Sequence, residues 1–274
     1  MRTPRTSLVP SRPTRRRSRF GYDHRWWGVP ESPRPGPLSY WEQTRRPLPC
    51  LAFVAPFLLT YELGVRWLAG PSGATLRTGA DAWVRQGLAT LGMTDQWLPP
   101  LALAVILLAW QALDPRSWRF RPSCLLGMAV ESAVLAVGLV GLSKLVDLGF
   151  ARLGPPAALE TGPSRSVLLG FLGAGVYEEA LFRLLLIPVL LGVLRLLHTP
   201  AVLAQTLAVT GSALVFSIAH HAGAPGEAFT WFAFIFRWSA GVYFAWVFVA
   251  RGFGVAVGTH AAYDILVGWI GWHL

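Results

Sequence analysis

Residues 166–197 read SVLLGFLGAGVYEEALFRLLLIPVLLGVLRLL, an apolar run longer than the roughly 20 residues that cross a bilayer as a helix. Near its centre it carries Glu178, Glu179 and Arg183. An ionisable side chain at bilayer depth costs about 3 kcal/mol or more, so a chain that keeps three of them in one run uses them, for chemistry, for transport or for packing. The run also contains Pro188, which removes a helical N–H and predicts either one kinked helix or two shorter pieces. Small residues such as Gly170, Gly173 and Ala174 suit a helix enclosed by others.

The rest of the chain has the same character. Hydrophobic residues make up 53% of the 274 and charged residues only 14%, with mean hydropathy +0.46, outside the range of an ordinary water-soluble domain. Further apolar runs lie near residues 49–70, 97–113, 123–146, 201–220, 230–250 and 254–272, and an amphipathic stretch lies near 78–92. The pattern predicts an all-α, polytopic transmembrane helix bundle of about seven to eight spans, with polar residues gathered in a core cavity. Tryptophans such as Trp67, Trp97, Trp118, Trp231 and Trp272 fall near the ends of these runs, where an amphipathic ring sits at headgroup level.

The net charge of +10 is unevenly placed. Residues 1–48 hold 11 of the 24 basic residues and 3 of the 14 acidic ones, or +8 against +2 for the remainder. Interleaved with Pro and Ser and without apolar periodicity, this tail is expected to be disordered and to keep the N-terminus in the cytoplasm, in a cell membrane, rather than to bind nucleic acid. Arg116, Arg119 and Arg121, two spans further on, place the loop around 114–122 on the same side. Three regions follow: a tail at 1–48, N-terminal helices at 49–119 and a core domain at 120–274. The two cysteines, Cys50 and Cys124, support neither a disulfide framework nor a cysteine metal site.

Three polar clusters interrupt the apolar runs. In the first, Glu179 and Arg183 stand four apart with the acid first, the favourable helical ion-pair order. Glu178 points about 100° away and is the candidate base. In the second, Phe216 and His220 share a helical face, and helical phase does not choose between His220 and His221 as the inward residue. In the third, His260 and Asp264 are four apart on the last span, where the acid can orient the imidazole or join it around a substrate oxygen or a metal. A glutamate with histidines and a further carboxylate is the set needed to activate water against an amide. Glu178, His220 and His260 are also a donor set for zinc, although no H-E-x-x-H is present. Glu62 and Glu131 are further carboxylates in apolar runs and candidates to line the same site, with Arg66 as a local ion-pair partner for Glu62.

These residues resemble a known family. The CAAX prenyl endopeptidase and bacteriocin-processing (CPBP, or Abi) membrane proteases carry E-E-x-x-x-R, then F-x-x-x-H, then H-x-x-x-N or H-x-x-x-D. Here those motifs are Glu178-Glu179 with Arg183, Phe216 with His220, and His260 with Asp264. The resemblance implies an intramembrane endopeptidase acting on a membrane protein or lipidated peptide. Glu178 and His220 would activate water, His260 and Asp264 would stabilise the oxyanion or help bind a metal, and Glu179, Arg183 and Phe216 would support them. It also selects His220 over His221. The CAAX enzymes have asparagine at the last position, so Asp264 exchanges a neutral donor for an acceptor. The alternative expectation is a non-catalytic membrane protein, an immunity or scaffold factor, on the same bundle; a transporter would show an internal repeat, which the chain lacks.

Overall fold

The computed structural model describes residues 38–70, 76–114, 118–150, 165–222 and 228–270. Residues 1–37, most of the arginine-rich tail, and Trp272 lie outside them. Every regular element among the described residues is helical, in keeping with the expected all-α membrane bundle.

The chain enters through α1 (Tyr40–Gln43), a single turn closed by a reciprocal capping box between Ser39 and Glu42. It continues into α2 (Pro47–Ala69), which starts with proline in its first turn, where no N–H is needed. The segment around residues 38–48, expected to be part of a solvated tail, is instead docked. Arg46 is 1% exposed and pairs with Asp114 at 3.4 Å and the Arg119 carbonyl at 3.0 Å. Arg45 donates to the Ala250 carbonyl at 2.7 Å. Glu131 accepts from Arg251 and, at 2.5 Å, from the Tyr40 hydroxyl. The tail end and the loop near residue 120 thus meet on one side of the molecule, as the charge pattern expects, and Glu131 holds that end together rather than lining a site.

The amphipathic stretch forms α3 (Gly79–Thr90), followed by α4 (Leu98–Leu113) and α5 (Ser123–Phe150). The run at 166–197 becomes α6 (Arg165–Glu179), a π-helical segment Ala180–Leu186, and α7 (Ile187–Leu196). Pro188 falls in the first turn of α7. The run is thus divided into three helical pieces that meet without an intervening loop, with the irregular π turn just upstream of the proline. The Ser212 hydroxyl donates to the Phe182 carbonyl of the π segment at 2.6 Å, supplying a polar partner where backbone pairing is irregular.

Helices α8 (Ala201–Ala219), α9 (Trp231–Arg251) and α10 (Phe253–Ile270) complete the bundle. Thr230 caps α9 by accepting from the Ala233 N–H at 3.1 Å. Gly252 ends it at φ +94°, a backbone that favours glycine, and a Cβ there would sit 2.8 Å from the Thr44 carbonyl. That tight turn sends α10 into the centre, where it packs against α2, α5, α6 and α9. Residues 253–261 of α10 are all buried. Gly175 of α6 allows a close approach, since a Cβ there would lie 3.0 Å from that of Ala261.

Among the described residues four helices, α2, α5, α8 and α9, are long and apolar enough to span a bilayer, and α4 and α10 are apolar but shorter. This is fewer than the seven or eight spans expected. The run at 166–197 counts as one rod broken by its charged centre and π turn, not as an uninterrupted apolar span. Leu126, Val130, Val134 and Val137 on α5 form an exposed stripe, and Trp67, Trp97, Trp118 and Trp231 are exposed near helix ends, as a lipid-facing surface requires.

Candidate active site

Four helices converge where α6 passes into the π segment. Glu178 and Glu179 end α6, Arg183 lies in the π segment, His220 caps the C-terminus of α8, Phe244 comes from α9, and His260 and Asp264 come from α10. His220 stands at the end of its helix and His260 well inside its own. They converge because α8 stops at this level and α10 starts deep in the bundle.

Glu179 Oε1 lies 3.1 Å from Arg183 Nη1, the expected i,i+4 pair, with both side chains wholly buried. The same oxygen accepts from His260 Nδ1 at 2.8 Å. The partner orienting His260 is therefore Glu179, not Asp264, whose Oδ2 is 3.6 Å from His260 Nε2, beyond a hydrogen bond. Phe244 stacks flat on the His260 ring at 4.4 Å and 14°, fixing its plane as Glu179 fixes its rotation. Arg183 also donates to the Gly241 carbonyl at 3.2 Å and lies over the rings of Phe216, at 4.4 Å, and Phe244, at 5.4 Å. Phe216 in turn meets His220 edge-on at 4.6 Å. Sequence reasoning missed Phe244, Ser212 and Gly241, which carry no charge and stand at ordinary positions in apolar helices. It also passed over Arg237, a charged residue inside the α9 run, which the rule that flagged Glu178 would have flagged.

His220 Nδ1 donates to the Phe216 carbonyl at 2.8 Å. Because a carbonyl can only accept, the neutral His220 carries its proton on Nδ1 and has its lone pair on Nε2. The neutral His260, donating through Nδ1 to Glu179, is in the same tautomer. Both Nε2 atoms face Glu178 Oε2, at 3.7 Å from His220 and 3.8 Å from His260. That oxygen is buried and makes no hydrogen bond. In these tautomers three acceptor atoms converge, spaced too widely to bond one another and closely enough to share a water. His221 faces away, against Phe229 at 5.2 Å and Phe234 at 6.3 Å.

Side-chain exposure rises outward from this point: 0% for Glu179 and Arg183, 6% for His260, 13% for Glu178, 17% for His220 and 21% for Asp264. The open side of the site is therefore the His220 and Asp264 side. In donor chemistry Glu178, His220 and His260 suit a divalent ion, but among the described residues no group of three His, Cys, Asp or Glu side chains is gathered to hold one.

Glu62 lies elsewhere. It accepts from Tyr177 and from Arg85 at 2.8 Å and Arg77 at 3.3 Å. Arg66 binds the Gln96 side chain at 3.2 Å and lies over Trp97 instead.

Residues 161–266 match the family model described as Type II CAAX prenyl endopeptidase Rce1-like. The matched segment covers less than half of the chain and contains all three motifs, a likeness that supports the CPBP family of intramembrane proteases. Neither a curated protein nor a solved structure matches the chain.

Proposed function

We propose, from the Rce1-like domain at residues 161–266 as premise, that this chain is an endopeptidase of the cell membrane that cleaves a lipidated, CAAX-type peptide by glutamate-activated water. The observation that carries the reading is the buried, unbonded Glu178 Oε2, which faces two imidazole Nε2 atoms at 3.7 and 3.8 Å. A water there can donate to Glu178 and to one imidazole while presenting a lone pair to the scissile carbonyl. Glu178 takes the water proton as the oxygen attacks, and then passes it to the leaving amine as the tetrahedral intermediate collapses. One of His220 and His260 holds the water through its Nε2, and Glu179 and Phe244 keep His260 in register. Enclosure by apolar helices excludes bulk water, which strengthens each of these interactions.

A divalent cation such as zinc is a second reading, favoured by the donor set of one carboxylate oxygen and two imidazole nitrogens. Held by Glu178, His220 and His260, it would supply Lewis-acid polarisation and lower the pKa of a bound water. The arginine-rich end formed by Arg45, Arg46, Arg119 and Arg251 faces the cytoplasm under the positive-inside rule.

The test is cleavage of a farnesylated peptide ending in a CAAX sequence, by the purified full-length protein in lipid, beside Glu178→Gln and His220→Ala, with and without chelator. Loss of cleavage in both variants with unfolding temperature retained supports the protease, and loss on chelation with recovery on adding zinc supports the metal reading. Cleavage that is absent, or equal in all three proteins, is the result expected of a non-catalytic membrane factor and would overturn the proposal.

A further inference from the structure

Arg237 belongs to none of the three motifs, yet three observations bring it to the site. On α9 it precedes Gly241 by four residues and Phe244 by seven, so the three share one helical stripe. Gly241 accepts from Arg183, and Phe244 stacks on His260. The antiparallel register of α9 and α10 sets its level. Phe244 meets His260, and Phe236 meets Tyr263 at 6.2 Å, so Arg237 stands opposite Asp264 at the more exposed side of the site. It is itself only partly buried. Its guanidinium lies within electrostatic range of Glu178, Asp264 and Tyr263.

Amide hydrolysis through a tetrahedral intermediate needs a donor for the oxygen that becomes negative. In the neutral tautomers described above, the groups turned to Glu178 Oε2 are acceptors, as are the carboxylates of Glu178 and Asp264 themselves. Arg183 is wholly buried and committed to Glu179, the Gly241 carbonyl and two aromatic faces, so it does not reach substrate. We infer that Arg237, aligned by Asp264, donates to the oxyanion. The inference rests on the proposed peptidase activity. As hydroxide from water adds to the carbonyl carbon, the π electrons move to oxygen, the guanidinium N–H groups hold that oxygen without transferring a proton, and the charge is returned when the C–N bond breaks and Glu178 protonates the amine.

The test uses the full-length protein in lipid with the farnesylated peptide and four variants: Arg237→Gln, Arg237→Lys, Asp264→Asn and the double Arg237→Gln/Asp264→Asn. Arg237→Gln is expected to lower kcat by about 10²-fold to 10³-fold with KM held within about threefold, the signature of an interaction made in the transition state. Arg237→Lys is expected to keep a measurable part of the lost rate and serves if the glutamine variant fails to fold. The double variant is expected to run at least about tenfold faster than Arg237→Gln, because the asparagine amide restores a donor at the mouth, a rescue no purely structural role produces. Glu178-dependent cleavage with Arg237→Gln at the wild-type kcat, a change confined to KM, or a double variant no faster than the single one each overturns the inference alone. No Glu178-dependent cleavage by the wild type overturns the peptidase reading and the inference with it.

Discussion

Two clusters of charge lie side by side in this bundle, and their hydrogen bonding separates them. Around Glu62 and Asp81, each carboxylate oxygen has a donor. Glu62 takes Tyr177, Arg85 and Arg77; Asp81 takes Arg85 at 2.7 Å on one oxygen, and Arg77 at 2.7 Å and Tyr61 at 2.9 Å on the other. Around Glu178, one residue along from Tyr177, acceptors face acceptors at 3.6 to 3.8 Å. A satisfied buried network fixes a structure, here the docking of α3 against α2 and α6. An unsatisfied one leaves positions that a water or substrate completes. Both clusters give the same signal in sequence, a glutamate in an apolar run.

The contrast predicts opposite mutational signatures. The largest effect is expected from Glu178→Gln, which keeps shape and removes the base. Cleavage should fall by about 10⁴-fold, roughly 5 kcal/mol of barrier, while thermal unfolding in lipid stays where it was. A marked drop in unfolding temperature would instead place Glu178 among the structural acids. Glu62→Ala reverses the pattern. Leaving Arg77 and Arg85 with Asp81 as their one shared carboxylate should cost about 3 kcal/mol of stability, read by thermal unfolding, with the rate per folded molecule within a few-fold of wild type.

Glu179→Gln sharpens the comparison, since Glu179 belongs to both kinds, being tied to Arg183 and orienting His260. Loss of that orientation should lower kcat by about 10-fold to 100-fold, the scale found when a partner that fixes a functional histidine is removed, and kinetics at saturating peptide would show it. The smallest effect is expected from Tyr177→Phe, which removes one bond from the satisfied network beside Glu178. About 1 kcal/mol of stability should be lost, with kcat within about threefold. A much larger fall in kcat would mean that the two clusters are coupled through this tyrosine.

Much of this was legible in the order of residues. Hydropathy gave the membrane and the helices because a bilayer leaves the backbone few alternatives, and the spacing of Glu179 and Arg183 gave their pair because helical neighbours are local. The spacing of His260 and Asp264 does place them side by side, at 3.6 Å, but the imidazole Nδ1–H goes to a carboxylate 81 residues distant in sequence, which no local spacing records. Arg66 misled as a local partner for Glu62.

The sequence therefore settled that the chain is helical and that it belongs in a membrane, since both follow from the cost of putting polar groups in hydrocarbon. Packing alone settled who meets whom. The small Gly175 and the tight turn at Gly252 carry α10 into the centre, the π turn at Ala180–Leu186 lets one rod hold both Glu178 and Arg183, and the register of α9 on α10 brings Phe244 to His260 and Arg237 to the level of Asp264. Contacts between residues far apart in the chain depend on the shape of every side chain between them, and no periodicity in the sequence records that.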